Sequence, residues 1–154
     1  VRVGSRGGLA CYRPGEAPSR TMTAEALATR LLLGEKVPAA ETAESQRYLL
    51  QQPPGVGKDN YYYWYYATLA LHQLQDDAWN QWNQTLKARL LATQRSDGGW
   101  SSDTLWGGYG GTVYTTSMAA LCLETYYRHA IRNHPPVAPS RTAAQPDNAQ
   151  RTNR

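Results

Sequence analysis

Residues 61–72, Tyr-Tyr-Tyr-Trp-Tyr-Tyr-Ala-Thr-Leu-Ala-Leu-His, are apolar or aromatic on every face of a helix and offer no solvent side. Such a helix must be surrounded, so the chain cannot fold as a single layer. The next segment has the opposite character. Trp79, Trp82, Leu86 and Leu90 recur at three- and four-residue steps, while Asn80, Gln81, Asn83, Gln84 and Lys87 fill the other side. Asp76 and Asp77 suit the N-terminus of this amphipathic helix.

The two kinds of helix alternate along the chain. A first apolar helix follows Thr21 or Thr23 as cap, runs through Met22, Leu27, Leu31 and Leu33, and stops at Gly34. A surface-type helix begins after Pro38 and ends before Pro53 and Pro54. The aromatic helix takes Asp59 or Asn60 as its cap, and a last one, apolar nearly all round, runs from Val113 to about His129. Laying Ala26 on Ala70 and Ala70 on Ala120 sets the repeating units about 44 and 50 residues apart, the range of helical-hairpin arrays. The spacing therefore predicts an all-α double layer of about five helices, apolar helices inside and amphipathic ones outside. Residues 1–20, rich in Gly, Pro, Arg and Ser, read as loop; 21–130 form the helical segment; 131–154 read as a disordered tail.

The joint between the fourth and fifth helices is Gln94-Arg95-Ser96-Asp97-Gly98-Gly99-Trp100. Asp-Gly-Gly tolerates the tight and left-handed backbone of a reversal. An amide at its entrance and an indole at its exit are more than a turn requires.

Composition excludes several classes of function. The net charge of +4 is a mild excess, and the basic residues are scattered with no stripe for tracking phosphates, so no nucleic-acid partner is expected. The loop Gly55-Val56-Gly57-Lys58-Asp59 fails as a phosphate loop because Gln52 occupies the position of the first glycine and Asp59 follows the lysine. Two cysteines, Cys11 and Cys122, form no CxxC pair and leave the redox compartment open. No apolar run approaches the ~18 residues of a membrane span. Phe is absent while Tyr numbers 11 and Trp 5, so the aromatic bulk carries polar handles suited to partly wet surfaces.

With the joint placed between an outer and an inner helix, residues 87–100, and Gln94, Gly98 and Trp100 in particular, resemble the repeated Gln–Trp motif of squalene and oxidosqualene cyclases and their prenyltransferase relatives. The resemblance spans most of residues 7–128. It implies a partial α/α toroid of inner and outer helices in which the motif braces the end of an outer helix against the next inner one. A closed ring of that family uses more helices than the five read here. The resemblance therefore implies that an N-terminal part of the same toroid is missing and that an apolar seam is exposed at the first helix.

The same resemblance addresses catalysis. Thr21-Met22-Thr23-Ala24-Glu25, downstream of Gly7-Gly8, is similar to the Asp-Cys-Thr-Ala-Glu motif of oxidosqualene cyclases, with Thr21 in place of the proton-donating Asp. A hydroxyl cannot supply that proton. Glu25 and Glu124 are the remaining carboxylate candidates; an acidic first turn accounts for Glu25 and an i,i+4 pair with Arg128 for Glu124, so no catalytic residue is assigned. His72, His129 and His134 do not stand in metal-ligand spacing with either cysteine, and no metal or cofactor is implied. Tyr62, Tyr63, Trp64, Tyr66, Tyr109 and Tyr114 are the candidates to line an apolar cavity, whose ring faces suit a carbocation. The expected function is that of a non-catalytic toroid segment, a scaffold or a binder of an apolar isoprenoid-type ligand or a protein partner. The alternative is a cavity wall of an active isoprenoid cyclase whose acid lies upstream.

Overall fold

The computed structural model describes residues 1–128, less the side chains of Tyr126 and Arg128. The expected tail, His129 and His134 lie outside the described residues. Five helices are present: α1 (Arg20–Leu32), α2 (Ala39–Leu50), α3 (Tyr61–Leu74), α4 (Asp77–Thr93) and α5 (Gly107–Arg128). They are preceded by a small antiparallel ladder of β1 (Arg2–Val3) and β2 (Leu9–Ala10), with Arg2 opposite Ala10.

The layering follows from which faces are apolar. α3 packs against both α1 and α5, while α2 lies against α1 and α4 against α3, with α2 and α4 touching each other. The inner layer is thus α1, α3 and α5 and the outer layer α2 and α4. Ten of the fourteen residues of α3 are buried, as a helix without a solvent side requires. α4 buries only Trp79, Trp82, Leu86 and Leu90. The core is knitted by edge-to-face ring pairs, Tyr61 with Trp64 at 4.9 Å and Tyr63 with Trp82 at 5.5 Å between centroids.

The helix ends differ in detail from the sequence expectation. α1 starts a turn's fraction earlier than Thr21, and Ser19 is its cap, accepting from the Met22 amide at 3.1 Å. Thr23 is fully buried and accepts from the Ala10 amide instead, fastening the ladder to α1. Gly34, at φ +81°, closes α1 in the left-handed conformation, its amide reaching the Leu31 carbonyl. Asn60 rather than Asp59 caps α3; Asp59 forms a two-pronged pair with Arg89, which ties the start of α3 to α4. Asp76 caps α4. α5 begins earlier than Val113, with one turn that is broken at Gly111 (φ 64°, ψ −167°) before the long helix resumes.

The stretch read as loop before α1 is held down by α2. The Glu44 carboxylate accepts from the Gly8 amide (2.8 Å), the Arg6 amide and the Ser5 hydroxyl, and Ser45 donates to the Gly8 carbonyl at 2.6 Å. Gly8 is required there, because a Cβ would stand 2.2 Å from the Glu41 carbonyl oxygen. This ladder packs against α1 and α2. The apolar seam expected at the first helix is consequently reduced to Leu33 at its C-terminal end, 81% exposed, and large exposed apolar side chains also occur on α5, where Val113 is 78% and Tyr127 91% exposed.

The amides around Glu44, that of Gly8 first, hold its carboxyl below the usual carboxylate value. Because the folded pKa lies below the unfolded one, the clamp stabilises fully above the unfolded value of about 4.3 and is lost as pH falls through the folded value. The amide proton shifts of Arg6 and Gly8 are therefore expected to titrate together with a midpoint below about 4.3, and Glu44→Gln to abolish that titration. A midpoint at or above this value would contradict the clamp.

Candidate functional site

The N-terminal ends of the three inner helices meet around a cavity of about 530 Å³. Its apolar wall is made by Tyr12, Met22, Tyr62, Leu105, Trp106 and Tyr114, and its polar members are Ser19, Thr21 and Asn60. Caps place the polar members: Ser19 and Asn60 turn their side-chain oxygens onto the first turns of α1 and α3. Their neighbours Met22 and Tyr62 then enter the cavity from the first turns.

Leu105 and Trp106 are brought in by the loop between the joint and α5. The Leu105 amide donates to the Asp59 carbonyl at 2.9 Å, the Thr104 amide to the Ser102 carbonyl at 2.8 Å, and Gly107 is packed so closely that a Cβ would lie 2.0 Å from the Ser102 carbonyl oxygen. The loop is therefore seated over the start of α3. Trp106 remains 48% exposed at the mouth, its ring 6.3 Å from that of Tyr109.

The polar chemistry of the cavity is sparse. None of its lining residues is Asp or Glu. Thr21 lies in the wall. The Tyr114 hydroxyl oxygen is shielded from solvent and has no hydrogen-bond partner among the described residues, and burial pushes the phenol pKa up. The Tyr114 phenol is thus held neutral in an apolar setting.

The sequence candidates separate into groups. Tyr62 and Tyr114 line the cavity. Tyr63 and Trp64 are buried and line an adjoining, more polar cavity; the Tyr63 hydroxyl donates to the Leu49 carbonyl at 2.8 Å and burial raises its pKa. Tyr66 is half-buried beside Tyr62, ring centroids 5.0 Å apart, with burial pushing its pKa up to about 12. Tyr109 stands outside, 91% exposed, because the turn before Gly111 points it away from the bundle. Tyr12, Leu105 and Trp106 were missed, since all three sit in segments without periodicity.

Glu25 does not reach this cavity; it lines a shallower one beside Cys11, Met22 and Arg30. Glu124 is exposed on α5, and its expected partner Arg128 lies outside the described side chains. His72 is buried against Trp79, ring centroids 5.1 Å apart. Among the described residues no group of three His, Cys, Asp or Glu side chains is placed to hold a metal, and no helix is long and apolar enough to cross a membrane. Cys11 and Cys122 are both buried free thiols, and burial raises the pKa of Cys122.

The joint residues form one hydrogen-bonded unit away from the cavity. Gln94 Nε2 donates to the Gly98 carbonyl at 2.9 Å across the turn, and Gly98 adopts φ +82°. The Trp100 indole donates to the Leu90 carbonyl at 2.9 Å, while its amide donates to Thr116 Oγ1 and its carbonyl accepts from Thr115 Oγ1. The turn thereby ties the end of α4 to α5.

No protein-family model, no curated protein and no solved structure matches this chain.

Proposed function

We propose that this chain is a non-catalytic, squalene-cyclase-like α/α-repeat segment that holds an apolar ligand in the cavity at the N-terminal ends of its inner helices. One observation carries the reading: an aromatic-walled space of about 530 Å³, without a carboxylate in its lining and with Thr21 in the wall. That volume falls in the range of about 300–1,000 Å³ typical of small-molecule sites, as does an apolar wall with a few polar groups. The neutral polar groups of Ser19, Thr21 and Asn60 would orient a ligand oxygen. Proton-initiated cyclisation needs an acid that none of the lining residues provides. The tie from α4 through Trp100 to α5 supports the likeness to the cyclase repeat.

A neutral fluorescent probe, N-phenyl-1-naphthylamine, is expected to bind the full chain saturably at one site and to be displaced by decanol. Trp106→Ala, at a half-exposed position, is expected to weaken probe binding about tenfold while moving stability by no more than about 0.5 kcal/mol. Unchanged binding in that variant would remove the cavity as the site. Incubation with squalene or oxidosqualene is expected to yield no cyclic product; product formation would overturn the non-catalytic reading in favour of a cyclase.

A further inference from the structure

Next to the apolar cavity lies a second one of about 400 Å³, and the two share Ser19, Thr21, Asn60 and Leu105 as a common wall. Its character is different: Arg20, Lys58, Tyr48 and Gln52 take part in its lining, and none of its lining residues is Asp or Glu. The first turns of α1 and α3 therefore separate an apolar aromatic space from one that also carries two cations, beside Tyr48, Tyr63 and Trp64.

Arg20 is the unusual member. Its guanidinium lies over the Tyr48 ring, 4.7 Å from the centroid, and Nη2 donates to Gln51 Oε1 at 3.2 Å. Its Nε is shielded from solvent and has no hydrogen-bond partner, and no carboxylate stands within ion-pair distance among the described residues. The other arginines near the helix ends behave differently: Arg30 pairs with Glu35 and Glu41, and Arg89 with Asp59. A half-buried guanidinium with neutral neighbours and no carboxylate partner among the described residues is poised for an oxyanion, whose geometry its planar fork matches. Lys58 adds a second cation; its only ion pair among the described residues, with Asp103 at 3.2 Å, is 57% and 89% exposed, so solvent screens it and the ammonium is easily redirected.

We infer that the paired cavities form one site for a single-chain amphiphile, its anionic carboxylate- or phosphate-type head on Arg20 and Lys58 and its apolar chain among Met22, Tyr62, Leu105 and Trp106. This rests on the reading of the apolar cavity as a ligand site. The common wall suits the junction between head and tail, since the hydroxyls of Ser19 and Thr21 and the amide of Asn60 lie between the cationic and the aromatic linings.

Calorimetric titration of the full chain with decanol, decanoate and decyl phosphate, each below its micelle concentration, and with inorganic phosphate tests the inference. At least one anionic amphiphile is expected to bind about tenfold or more tighter than decanol, the size of one charge-assisted hydrogen bond. Which of the two gains the advantage identifies the head as carboxylate or phosphate, or as either. Inorganic phosphate alone is expected to bind too weakly to measure. Arg20→Gln is expected to bring the anionic amphiphiles to within about threefold of decanol and to leave decanol within about twofold of its original affinity; Lys58→Gln, at an exposed position, acts in the same direction with a smaller loss. Decanol binding as tightly as both anions, or an anionic advantage that survives both substitutions, would overturn the head-group assignment while leaving the apolar site standing. Absence of saturable binding by decanol and by both anions would remove the apolar site itself.

Discussion

Replacing Trp100 by alanine lowers the stability of this chain by about 3–5 kcal/mol, the cost of deleting a large buried aromatic. The ring is 97% buried in the joint between α4 and α5, because the residue keeps only 3% of its exposure. Its indole N–H caps the Leu90 carbonyl, one of the last four carbonyls of α4 that the helix itself leaves without an amide ahead. Loss against a total stability of about 5–15 kcal/mol would be visible in a urea or thermal unfolding curve. Trp100→Phe keeps most of the ring but leaves that carbonyl only the long bond from the Thr93 hydroxyl at 3.4 Å, so a smaller loss of about 1–3 kcal/mol is expected. A midpoint of unfolding that does not move in Trp100→Ala would mean that the joint does not tie the two helices together.

Trp82→Ala is expected to cost a similar 3–5 kcal/mol or so for a different reason. Trp82 is completely buried between α4 and α3, its ring edge-to-face with Tyr63. Its indole donates to Thr68 Oγ1 at 3.0 Å, and that hydroxyl donates on to the Trp64 carbonyl at 2.6 Å. The outer helix is thereby hydrogen-bonded through the core of the inner one. Thr68→Val removes the acceptor and strands a buried indole N–H, which costs about 1–3 kcal/mol. In the double variant Trp82→Phe, Thr68→Val both partners are apolar, and part of that loss is expected to return. Equal losses in Thr68→Val and in the double variant would show that the hydrogen bond does not couple the layers.

The layers of α1 to α4 were legible in the sequence because they follow helical periodicity, whereas α5, expected to be enclosed, exposes Val113 and Tyr127. The all-apolar stretch around Trp64 and the one-sided stretch around Trp82 specify inside and outside, and Gly34, Pro38, Pro53 and Pro54 punctuate them. The ends were less legible. Thr21 and Thr23 were the caps expected, whereas Ser19 caps α1 and the Thr23 hydroxyl is taken up by the Ala10 amide. The ladder of β1 and β2 was invisible because two-residue strands have no period, and what holds them is Glu44, some three dozen residues away in sequence. The cavity was half legible. Tyr62 and Tyr114 lie on helices whose aromatic excess was apparent, whereas Tyr12, Leu105 and Trp106 enter from loops, positioned by contacts such as the bond from Leu105 to Asp59. Arg20 looked like an ordinary solvated charge in the sequence and Lys58 like part of a failed phosphate loop; in the folded neighbourhood the one has no carboxylate partner among the described residues and the other only a screened one.

On the proposed function, the inner-helix ends around Thr21 bind an apolar ligand without transforming it. Five tryptophans give five indole N–H signals in a proton–nitrogen correlation spectrum, and Trp106 is the one placed in the cavity wall. On titration with decanol, the Trp106 indole signal and the Met22 methyl are expected to shift saturably, while the indole signals of Trp82 and Trp100, buried in the core, stay in place. Shifts at Trp82 or Trp100 with Trp106 unmoved, or no saturable shift at any of the five, would contradict it.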